Sequence, residues 1–385
     1  MERRQEKGYE IAKTLQIQKD KFGWIVPSQT DGRKKYLVNQ EFVCDCADSQ
    51  LHKTTCKHAY AVRYMLKAEI ETPQGTQSKR MTYQQTWATY DKCQINEKDS
   101  FMKMLNDLCE EAEEQPNCKG RPKIANKDLL FASALKVYTQ FSLRRFMSDL
   151  RTAKEKGYVE HTPCFASVGH FMQKEELTPI LSKLIQITAL PMKAVEKDFA
   201  IDSSGFRTTK FSEYCKMKHN LIKKHNWIKC HIMTGVKTNI ITAVEVNEGY
   251  SSDSQQFIPL VKMTSENGFN ISEVSADLAY SSRDNLTKVR EVGGIPFIPF
   301  KRNAVKSSVG SIAWKKMYHY FMLNREDFMA HYHKRSNVES TFFMLKAKFS
   351  DMLKSKTKTA QINELLLKVL CHNIVVVNNE TNQSF

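Results

Sequence analysis

The sequence lacks an uninterrupted apolar run long enough to span a membrane. Its longest apolar stretch, NELLLKVLCHNIVVV near the carboxyl end, is interrupted by Lys368 and His372 and is shorter than the roughly 20 residues that a spanning helix needs. The first residues, MERRQEKGYE, are highly charged and do not resemble a signal peptide. We therefore expect a soluble intracellular protein with no membrane partner.

Acidic residues are scarce relative to basic ones. The chain has 42 Asp and Glu against 58 Lys and Arg, a formal net charge of +16. A positive field of this size suits the phosphate backbone of a nucleic acid. An acidic membrane surface is the alternative, but the sequence shows no basic amphipathic anchor and no lipidation motif. We expect nucleic acid to be the main partner.

Cysteines are too unevenly placed for a disulfide framework. Of the ten, three are crowded between Cys44 and Cys56, a distribution that suits metal ligation in a reducing compartment. In residues 24–46, short β-branched and aromatic runs flank Asp31-Gly32, a dipeptide that favours a tight hairpin turn. This segment should therefore be a small antiparallel unit. The following segment AYAVRYML should be a helix.

Four residues in this region have the chemistry of a zinc site: Cys44, Cys46, Cys56 and His58. Three thiolates and an imidazole suit one tetrahedral Zn²⁺, and the ion would be structural because protein ligands fill every position. Chance clustering of buried thiols is the alternative. The pattern Cys-x-Cys, nine residues, Cys-x-His resembles the SWIM zinc finger over about residues 8–68, and that resemblance implies binding to DNA or protein.

A second unit begins near GRPK at residues 120–123. Two helical patterns, NKDLLFASALKVYTQ and SLRRFMSDLRTAKEKG, are separated by a turn in which Ser142 is a candidate N-cap. The pair is either a helix-turn-helix DNA reader, with Arg144, Arg145 and Arg151 on phosphates, or a plain helical subdomain with a basic face. Between the two units, the polar and acidic segment 71–118 is predicted to be a linker.

From residue 198 the pattern becomes α/β. DFAIDSSGF contains a predicted short strand that ends in Asp202, and WIKCHIMTGV and NIITAVEV are two further predicted strands. A helix, the strand in ISEVSADLAY that ends on Asp277, a second helix and the strand IPFIPF follow in turn. This is the element order of a ribonuclease-H-like mixed sheet. In that order the first and fourth strands pair, so Asp202 and Asp277 should lie side by side.

A later stretch, AHYHKRSNVESTFFMLKAKF, spaces its polar residues regularly. If residues 330–349 form one helix, Arg335, Lys346 and Tyr332 lie at about −40°, −20° and +20° around the axis from Glu339. Such a polar face should not be core, and the predicted packing side is made by Phe342, Phe343 and Leu345. The alternative is an ordinary surface helix in which Arg335 and Glu339 form an i,i+4 pair.

Three converging carboxylates require cations. If the helix lies against the sheet, Asp202, Asp277 and Glu339 form a cluster that calls for divalent metal, Mg²⁺ or Mn²⁺. Two such ions about 3.5 to 4 Å apart support in-line displacement at phosphorus. Arg335, Lys346 and Tyr332 would then contact the DNA strand.

These motifs resemble the insertion-sequence DDE transposases that carry a tyrosine, arginine, glutamate and lysine signature. AIDSSGF and SADLAYSS resemble the two aspartate regions, and the similarity covers about residues 119–378. With the SWIM resemblance it implies four regions: a zinc finger at 1–70, the linker at 71–118, a helical DNA-binding domain at 119–192, and a catalytic domain at 193–385.

The resemblance implies metal-dependent cleavage at the ends of a mobile element and strand transfer into target DNA. Its implied partners are double-stranded DNA, as terminal inverted repeats and target, and a second copy of the chain in a synaptic homodimer. A cytoplasmic, nucleoid-associated location in a prokaryotic host follows. Only 38 residues separate Phe300 from Glu339, which leaves no room for the strand-rich insertion that some relatives use to form hairpins.

Alternative functions remain: a nuclease or resolvase of the same fold that does not join strands, and a non-mobile DNA-binding descendant. Lys301 and Arg302, just after the fifth predicted strand, are expected at the rim of the active site. His231 is predicted to be structural. Helix capping or strand position, rather than catalysis, is expected to explain Asp253, Glu273 and Asp284.

Overall fold

A computed structural model of the chain describes most of its residues. The described ranges are 3–15, 17–20, 23–29, 31, 34–39, 41–52, 55–66, 69–72, 75–78, 87–111, 123–208, 227–248, 252–305 and 309–383. The chain divides into two compact units, residues 1–86 and residues 87–385.

The first unit contains a small sheet with helices. Its helices are α1 (Arg3–Thr14), α2 (Ala47–His52) and α3 (Lys57–Leu66), and its strands are β1 (Gln18–Asp20), β2 (Gly23–Pro27), β3 (Lys35–Asn39), β4 (Glu69–Thr72) and β5 (Gly75–Ser78). Strands β1, β2 and β3 form one antiparallel sheet, and β4 pairs with β5. The predicted hairpin is present as β2 and β3, and the predicted helix as α3; Gly32 lies outside the described residues.

The second unit begins with helices in a segment that was expected to be a linker. Helices α4 (Trp87–Ile95) and α5 (Glu97–Cys109) lie within residues 71–118. The structure differs from the expectation because Phe101 and Leu105, spaced by one helical turn, are buried in the core of this unit. Glu97 lies on the same stripe and is buried with partners: it accepts the Tyr138 hydroxyl and pairs with Lys348.

Four further helices precede the main sheet: α6 (Asn126–Thr139), α7 (Met147–Glu155), α8 (Phe165–Phe171) and α9 (Leu177–Ala189). Ser142 does not cap α7, which begins five residues later without a side-chain cap. The Ser142 carbonyl instead accepts the N–H of Phe146 at 3.0 Å in the intervening turn. The predicted helix pair is therefore present, joined by a longer turn.

A five-stranded mixed sheet follows the helices. Its strands are β6 (Asp198–Arg207), β7 (Trp227–Gly235), β8 (Ile241–Glu248), β9 (Glu273–Ala276) and β10 (Ile295–Phe297), in the spatial order β10-β9-β6-β7-β8. Strands β6, β7 and β8 are antiparallel, whereas β9 is parallel to both β6 and β10. The predicted sequence of elements and the pairing of the first with the fourth strand are present.

The turn between β7 and β8 depends on a close approach that only glycine permits. A Cβ at Gly235 would lie 2.3 Å from the carboxyl carbon of Glu196. That buried carboxylate accepts the backbone N–H groups of Lys237 and Thr238, and the Thr238 hydroxyl donates to it at 2.7 Å. The missing side chain thus lets Glu196 satisfy the donors of the turn.

Both faces of the sheet are covered. On one face, Ala200, Phe206 and Ile232 belong to a core that also contains helices α5 to α9. On the other face, Phe199, Ile201 and Met233 pack with the two helices that flank β9, α10 (Ser254–Glu266) and α11 (Arg283–Glu291). Since side chains alternate along a strand, Asp202 points to the first of these faces.

Four helices complete the unit: α12 (Ile312–Leu323), α13 (Arg325–Tyr332), α14 (Ser336–Phe349) and α15 (Lys358–Gln383). Helix α15 supplies Leu366 and Leu370 to the core that contains helix α6. The predicted regions 119–192 and 193–385 therefore lie in one compact unit, because apolar residues at the end of the second region pack with those of the first.

Helix α15 is longer than its apolar run suggested. Within the described part of the chain, its stretch Lys358–Thr381 alone is long and apolar enough to cross a membrane, and 89% of its most apolar window is buried inside the protein. The expectation that this stretch is shorter than a spanning helix is therefore wrong, because the helix continues on both sides of the apolar run and contains Lys368 and His372. Both are buried with partners, and His372 Nε2 lies 3.0 Å from the Asn239 carbonyl.

Lys368 holds the segment that follows α14. Its Nζ donates to the carbonyls of Ser350 and Met352 at 2.9 and 2.8 Å and lies 4.0 Å from Glu364. Glu364 in turn accepts the N–H groups of Lys354 and Ser355. A buried ion pair thereby fixes the chain just beyond the helix that carries Glu339.

We predict that Lys368→Met lowers the free energy of unfolding by about 3 to 5 kcal/mol, because Glu364 loses a buried counter-ion and two carbonyls lose their donor. Urea unfolding followed by circular dichroism would measure it. The exposed Lys356→Met is the control and should stay within about 0.5 kcal/mol. Equal stability of the two variants would contradict the role given to Lys368.

Candidate active site and metal centre

Asp202 was expected at the end of its strand, but β6 continues to Arg207 because residues 203–207 also pair with β7, so Asp202 lies in the middle of the strand. Its side chain is half-buried. Its Oδ1 accepts the N–H of Ser203 at 2.8 Å. Burial raises the pKa of Asp202 above its usual range, the Ser203 N–H and Arg335 oppose that rise, and Asp277 and Glu339 add to it. Two other carboxylates and a guanidinium thus lie close enough to act on this one group.

Asp277 is next to Asp202 because of the sheet register. Strands β6 and β9 run parallel, with Ile201 opposite Ala276, so the two aspartates occupy the next position on neighbouring strands. Adjacent strands are about 4.8 Å apart. Asp277 Oδ1 accepts the N–H of Leu278 at 2.6 Å, which begins the 3-10 turn Leu278–Tyr280 and ends the strand.

Glu339 reaches the same place from helix α14. The helix packs against the sheet through Val338, Phe342 and Leu345, which belong to the core on the Asp202 face. Glu339 lies in the first turn of this helix. The structure therefore brings together the three predicted carboxylates, each from a different element.

Arg335 bridges two of these carboxylates. Its Nη1 lies 2.7 Å from Asp202 Oδ2, and its Nη2 lies 2.5 Å from Glu339 Oε1. The i,i+4 pair of Arg335 with Glu339 that was considered from the sequence is present. Because Arg335 also binds Asp202, the pair belongs to the site formed by Asp202, Asp277 and Glu339, called the acidic site below. A positive charge is held between Asp202 and Glu339.

The stretch around Arg335 is not one continuous helix. Helices α13 and α14 are joined by the 3-10 turn His333–Arg335, so the single helix predicted for residues 330–349 is wrong. The pairing of Lys334 with both Asp198 and Glu273 at 2.7 Å holds this turn against the ends of β6 and β9. His331 also lies 2.9 Å from Glu273.

The other two signature residues, Lys346 and Tyr332, have different surroundings. Lys346 Nζ donates to Ser204 Oγ at 2.7 Å, two residues along β6 from Asp202. Burial lowers the pKa of Lys346, and its ammonium lies 5.2 Å from the centre of the Phe206 ring. Tyr332 is half-buried and packs against the core on the other face of the sheet.

The remaining predicted residues are less closely involved. Lys301 and Arg302 are exposed, and they follow a strand that ends at Phe297 rather than at Phe300. His231 is fully buried, and burial lowers its pKa to about 4, so the imidazole stays neutral, in keeping with a structural role.

Sequence reasoning missed the ion pairs around the site. Asp253 was assigned to helix capping, but it makes no side-chain cap; it pairs with Lys229 and accepts the Ser203 hydroxyl at 3.4 Å. Glu273 was set aside because of its position in the strand, yet it binds Lys334. The register of β6 with β7 and β9 places these partners together, and a single sequence shows no signal of that register.

The cysteine cluster of the first unit is also assembled. Ligand atoms of Cys44, Cys46, Cys56 and His58 all lie within 4.8 Å of one another, and all four side chains are buried. His58 Nδ1 is 3.8 Å from Cys44 Sγ and 3.9 Å from Cys56 Sγ. These separations fit tetrahedral Zn²⁺, whose bonds to sulfur and nitrogen are about 2.3 and 2.0 Å long.

The thiols of this cluster do not titrate independently. Hydrogen bonding from Cys44 lowers the pKa of Cys56 to about 4, whereas the same contact raises the pKa of Cys44. Burial raises the pKa of Cys46. One thiolate is thus stabilised by its neighbours, and a bound cation would stabilise the others.

Comparison with known proteins gives the class of this site. Residues 193–374 match the family model described as a transposase DDE domain. This match contains Asp202, Asp277 and Glu339. The protein is therefore a DNA transposase, an enzyme with nuclease and transesterification activity on DNA.

Among solved structures, the chain is similar to a piggyBac transposase in a synaptic complex with hairpin DNA. The TM-score is 0.34 at 10% sequence identity, over 74% of this chain and 73% of that one. So weak a likeness adds nothing to the family match.

We predict that the purified chain holds one zinc ion, measured by elemental analysis, and that Cys56→Ser loses it and unfolds the first unit, because a small core depends on such a ligand set. The exposed Cys164→Ser should keep the metal. Folded, metal-free wild-type protein would refute the site.

Proposed function

We propose that this transposase cleaves DNA at the ends of a mobile element and transfers the freed 3′-hydroxyl into target DNA. Asp202, Asp277 and Glu339 are the catalytic carboxylates in this proposal. The observation that carries it is the bridge that Arg335 makes between Asp202 on β6 and Glu339 on α14, with Asp277 beside Asp202 at the end of the neighbouring strand β9. Partly buried acids gathered in this way need positive partners.

The acidic site fits divalent metal by its donor chemistry. Carboxylate oxygens are the ligands that Mg²⁺ and Mn²⁺ prefer. The guanidinium of Arg335 lies between Asp202 and Glu339, so this position already accommodates positive charge. When bound, two such divalent ions would supply activation of the attacking oxygen and stabilisation of the leaving one. The three carboxylates are proposed to hold them.

The cationic side chains then have distinct tasks. Arg335 neutralises Asp202 and Glu339 in the free protein, and its planar guanidinium also suits bidentate binding of a DNA phosphate. Lys346 on α14 adds a second positive charge beside Ser204, which lies two residues from Asp202 along β6. Tyr332, Lys301 and Arg302 are proposed as further DNA contacts on the basis of their positions in the sequence.

The finer assignments belong to the same proposal. The strand order supports a ribonuclease-H-like catalytic domain, and the cysteine cluster between β3 and α3 supports a SWIM-like zinc finger for DNA or protein. Arg144, Arg145 and Arg151 would contact DNA phosphates. Terminal inverted repeats, a homodimeric synaptic complex and a cytoplasmic, nucleoid-associated location complete the picture.

The segment before Glu339 bears on the route of cleavage. Its described residues contain helices α12 and α13 and no strand. The proposal therefore does not include a hairpin step that depends on a strand-rich insertion.

We predict that Asp202→Ala abolishes Mg²⁺-dependent cleavage and joining, lowering the rate about a thousandfold or more, while DNA binding survives. A cleavage and strand-transfer assay on matched element ends measures this. Asp284→Ala, an exposed acid at the start of α11, is the control and should stay active. Full cleavage by Asp202→Ala would refute the assignment, and cleavage without joining by the wild type would indicate a nuclease.

We also predict that Mg²⁺ raises the melting temperature of Arg335→Ala more than that of the wild type. Without the guanidinium, Asp202 and Glu339 repel each other until a cation binds, so the metal stabilises the variant more strongly. Differential scanning fluorimetry with and without chelator measures the shift.

Arg207→Ala removes a guanidinium from an ion pair with Asp351 outside the acidic site and serves as the control. It should respond to Mg²⁺ like the wild type. Identical Mg²⁺ shifts in all three proteins would show that Arg335 and the metal do not share a site.

A further inference from the structure

Phe343 is the residue of helix α14 that least fits its surroundings. The sequence pattern placed it on the packing side, and this prediction is wrong: the ring is 74% exposed, whereas the adjacent Phe342 is 6% exposed and Leu345 is fully buried. A phenylalanine exposed to this degree gains nothing from the core.

Its position on the helix places it beside the acidic site. Phe343 follows Glu339 by four residues and precedes Lys346 by three, so the three side chains lie within about 60° of one another around the axis. The core residues Val338, Phe342 and Leu345 lie on the adjoining side of the helix, about 100° around the axis from the centre of that face. An exposed aromatic ring therefore occupies the same helix face as one proposed catalytic carboxylate and one lysine.

Tyr332, another aromatic side chain close to the site, is less accessible. It is half-buried and packs with the core formed by α10, α11 and their neighbours. By contrast, Phe165, on the helical part of the unit, is covered by the guanidinium of Arg144 at 4.8 Å. Phe343 alone combines exposure above one half with a place on the Glu339 face, among the phenylalanines that the structure describes.

We propose that Phe343 stacks on a nucleobase of the bound DNA strand, at a position next to the bond that the enzyme cuts. This inference rests on the proposed function, because it takes the Glu339 face to be the DNA face. The base must be unpaired or frayed, since a base inside the duplex has both of its faces covered by neighbours.

The charges around the ring favour a nucleic-acid strand over other partners. Lys346 lies one turn further along the same helix face, and residues 331–360 contain seven Lys or Arg against two acids. A strand of DNA presents phosphates to these cations and a π-face to the ring. Phe343 is thus a positioning residue that holds the end of the strand near the carboxylates.

The test is binding of full-length protein to two DNA probes in buffer without Mg²⁺ or Mn²⁺, so that no cleavage occurs. One probe is a forked duplex with 2-aminopurine in its unpaired arm, and the other is the same duplex fully paired. Phe343→Ala should bind the fork about tenfold or more weakly, as expected for loss of one stacked base. Its affinity for the paired duplex should change less than threefold.

Two further variants separate stacking from simple apolar contact. Phe343→Trp should retain fork binding and the change in 2-aminopurine fluorescence, whereas Phe343→Leu, which is apolar but has no ring, should lose both. Met344→Ala, at the next and less exposed position, is the matched control and should bind like the wild type. Melting temperatures close to that of the wild type would show that the variants are folded.

Three outcomes would overturn the proposal: equal fork binding by Phe343→Ala and wild type, full retention by Phe343→Leu, or a dimer in solution that Phe343→Ala dissociates without any effect on DNA. The last result would assign the ring to a second copy of the chain. Failure of the proposed function is recognised separately, by cleavage that persists in Asp202→Ala. The fork measurement needs no cleavage, so either idea can fail alone.

Discussion

The parallel pairing of β6 with β9 is the constraint on which the acidic site depends. It sets Ile201 opposite Ala276 and so places Asp202 beside Asp277, although 75 positions separate them in the chain. Like charges this close disfavour each other, and burial of Asp202 adds to the cost. Arg335 offsets part of this cost by pairing its guanidinium with Asp202. Helix α14 is in turn held on the sheet by apolar contacts, so packing energy keeps the third carboxylate near the other two.

Much of this arrangement is visible in the sequence. Short apolar runs that end in Asp202 and Asp277, with helices between them, identify the strands and their order, and the spacing of Cys44, Cys46, Cys56 and His58 identifies the metal cluster before any coordinates. These features can be predicted from the sequence because they depend on local patterning and on ligand chemistry. The assignment to a DNA transposase is likewise confirmed by the family match over residues 193–374.

Other features depend on contacts that no local pattern encodes. Residues 97–109 were expected to be linker because charged and polar residues interrupt the apolar ones, yet Phe101 and Leu105 pack in a core supplied by distant helices. Phe343 looks like core because it adjoins Phe342, but a rotation of one residue around the helix sends it outward. The 3-10 turn His333–Arg335 is held by the ion pairs of Lys334 with Asp198 and Glu273. These pairs form only where the first residues of β6 and β9 lie side by side.

The clamp between α15 and the end of α14 has a bearing on how the enzyme matures. Lys368 and Glu364 lie in the last helix of the second unit, and they fasten the segment directly after the helix that carries Glu339. During synthesis these groups emerge from the ribosome after every carboxylate of the active site. A messenger shortened before that helix would encode a protein that keeps all three acids and the apolar contacts of α14 with the sheet, but loses the ion pair that fastens the segment directly after α14.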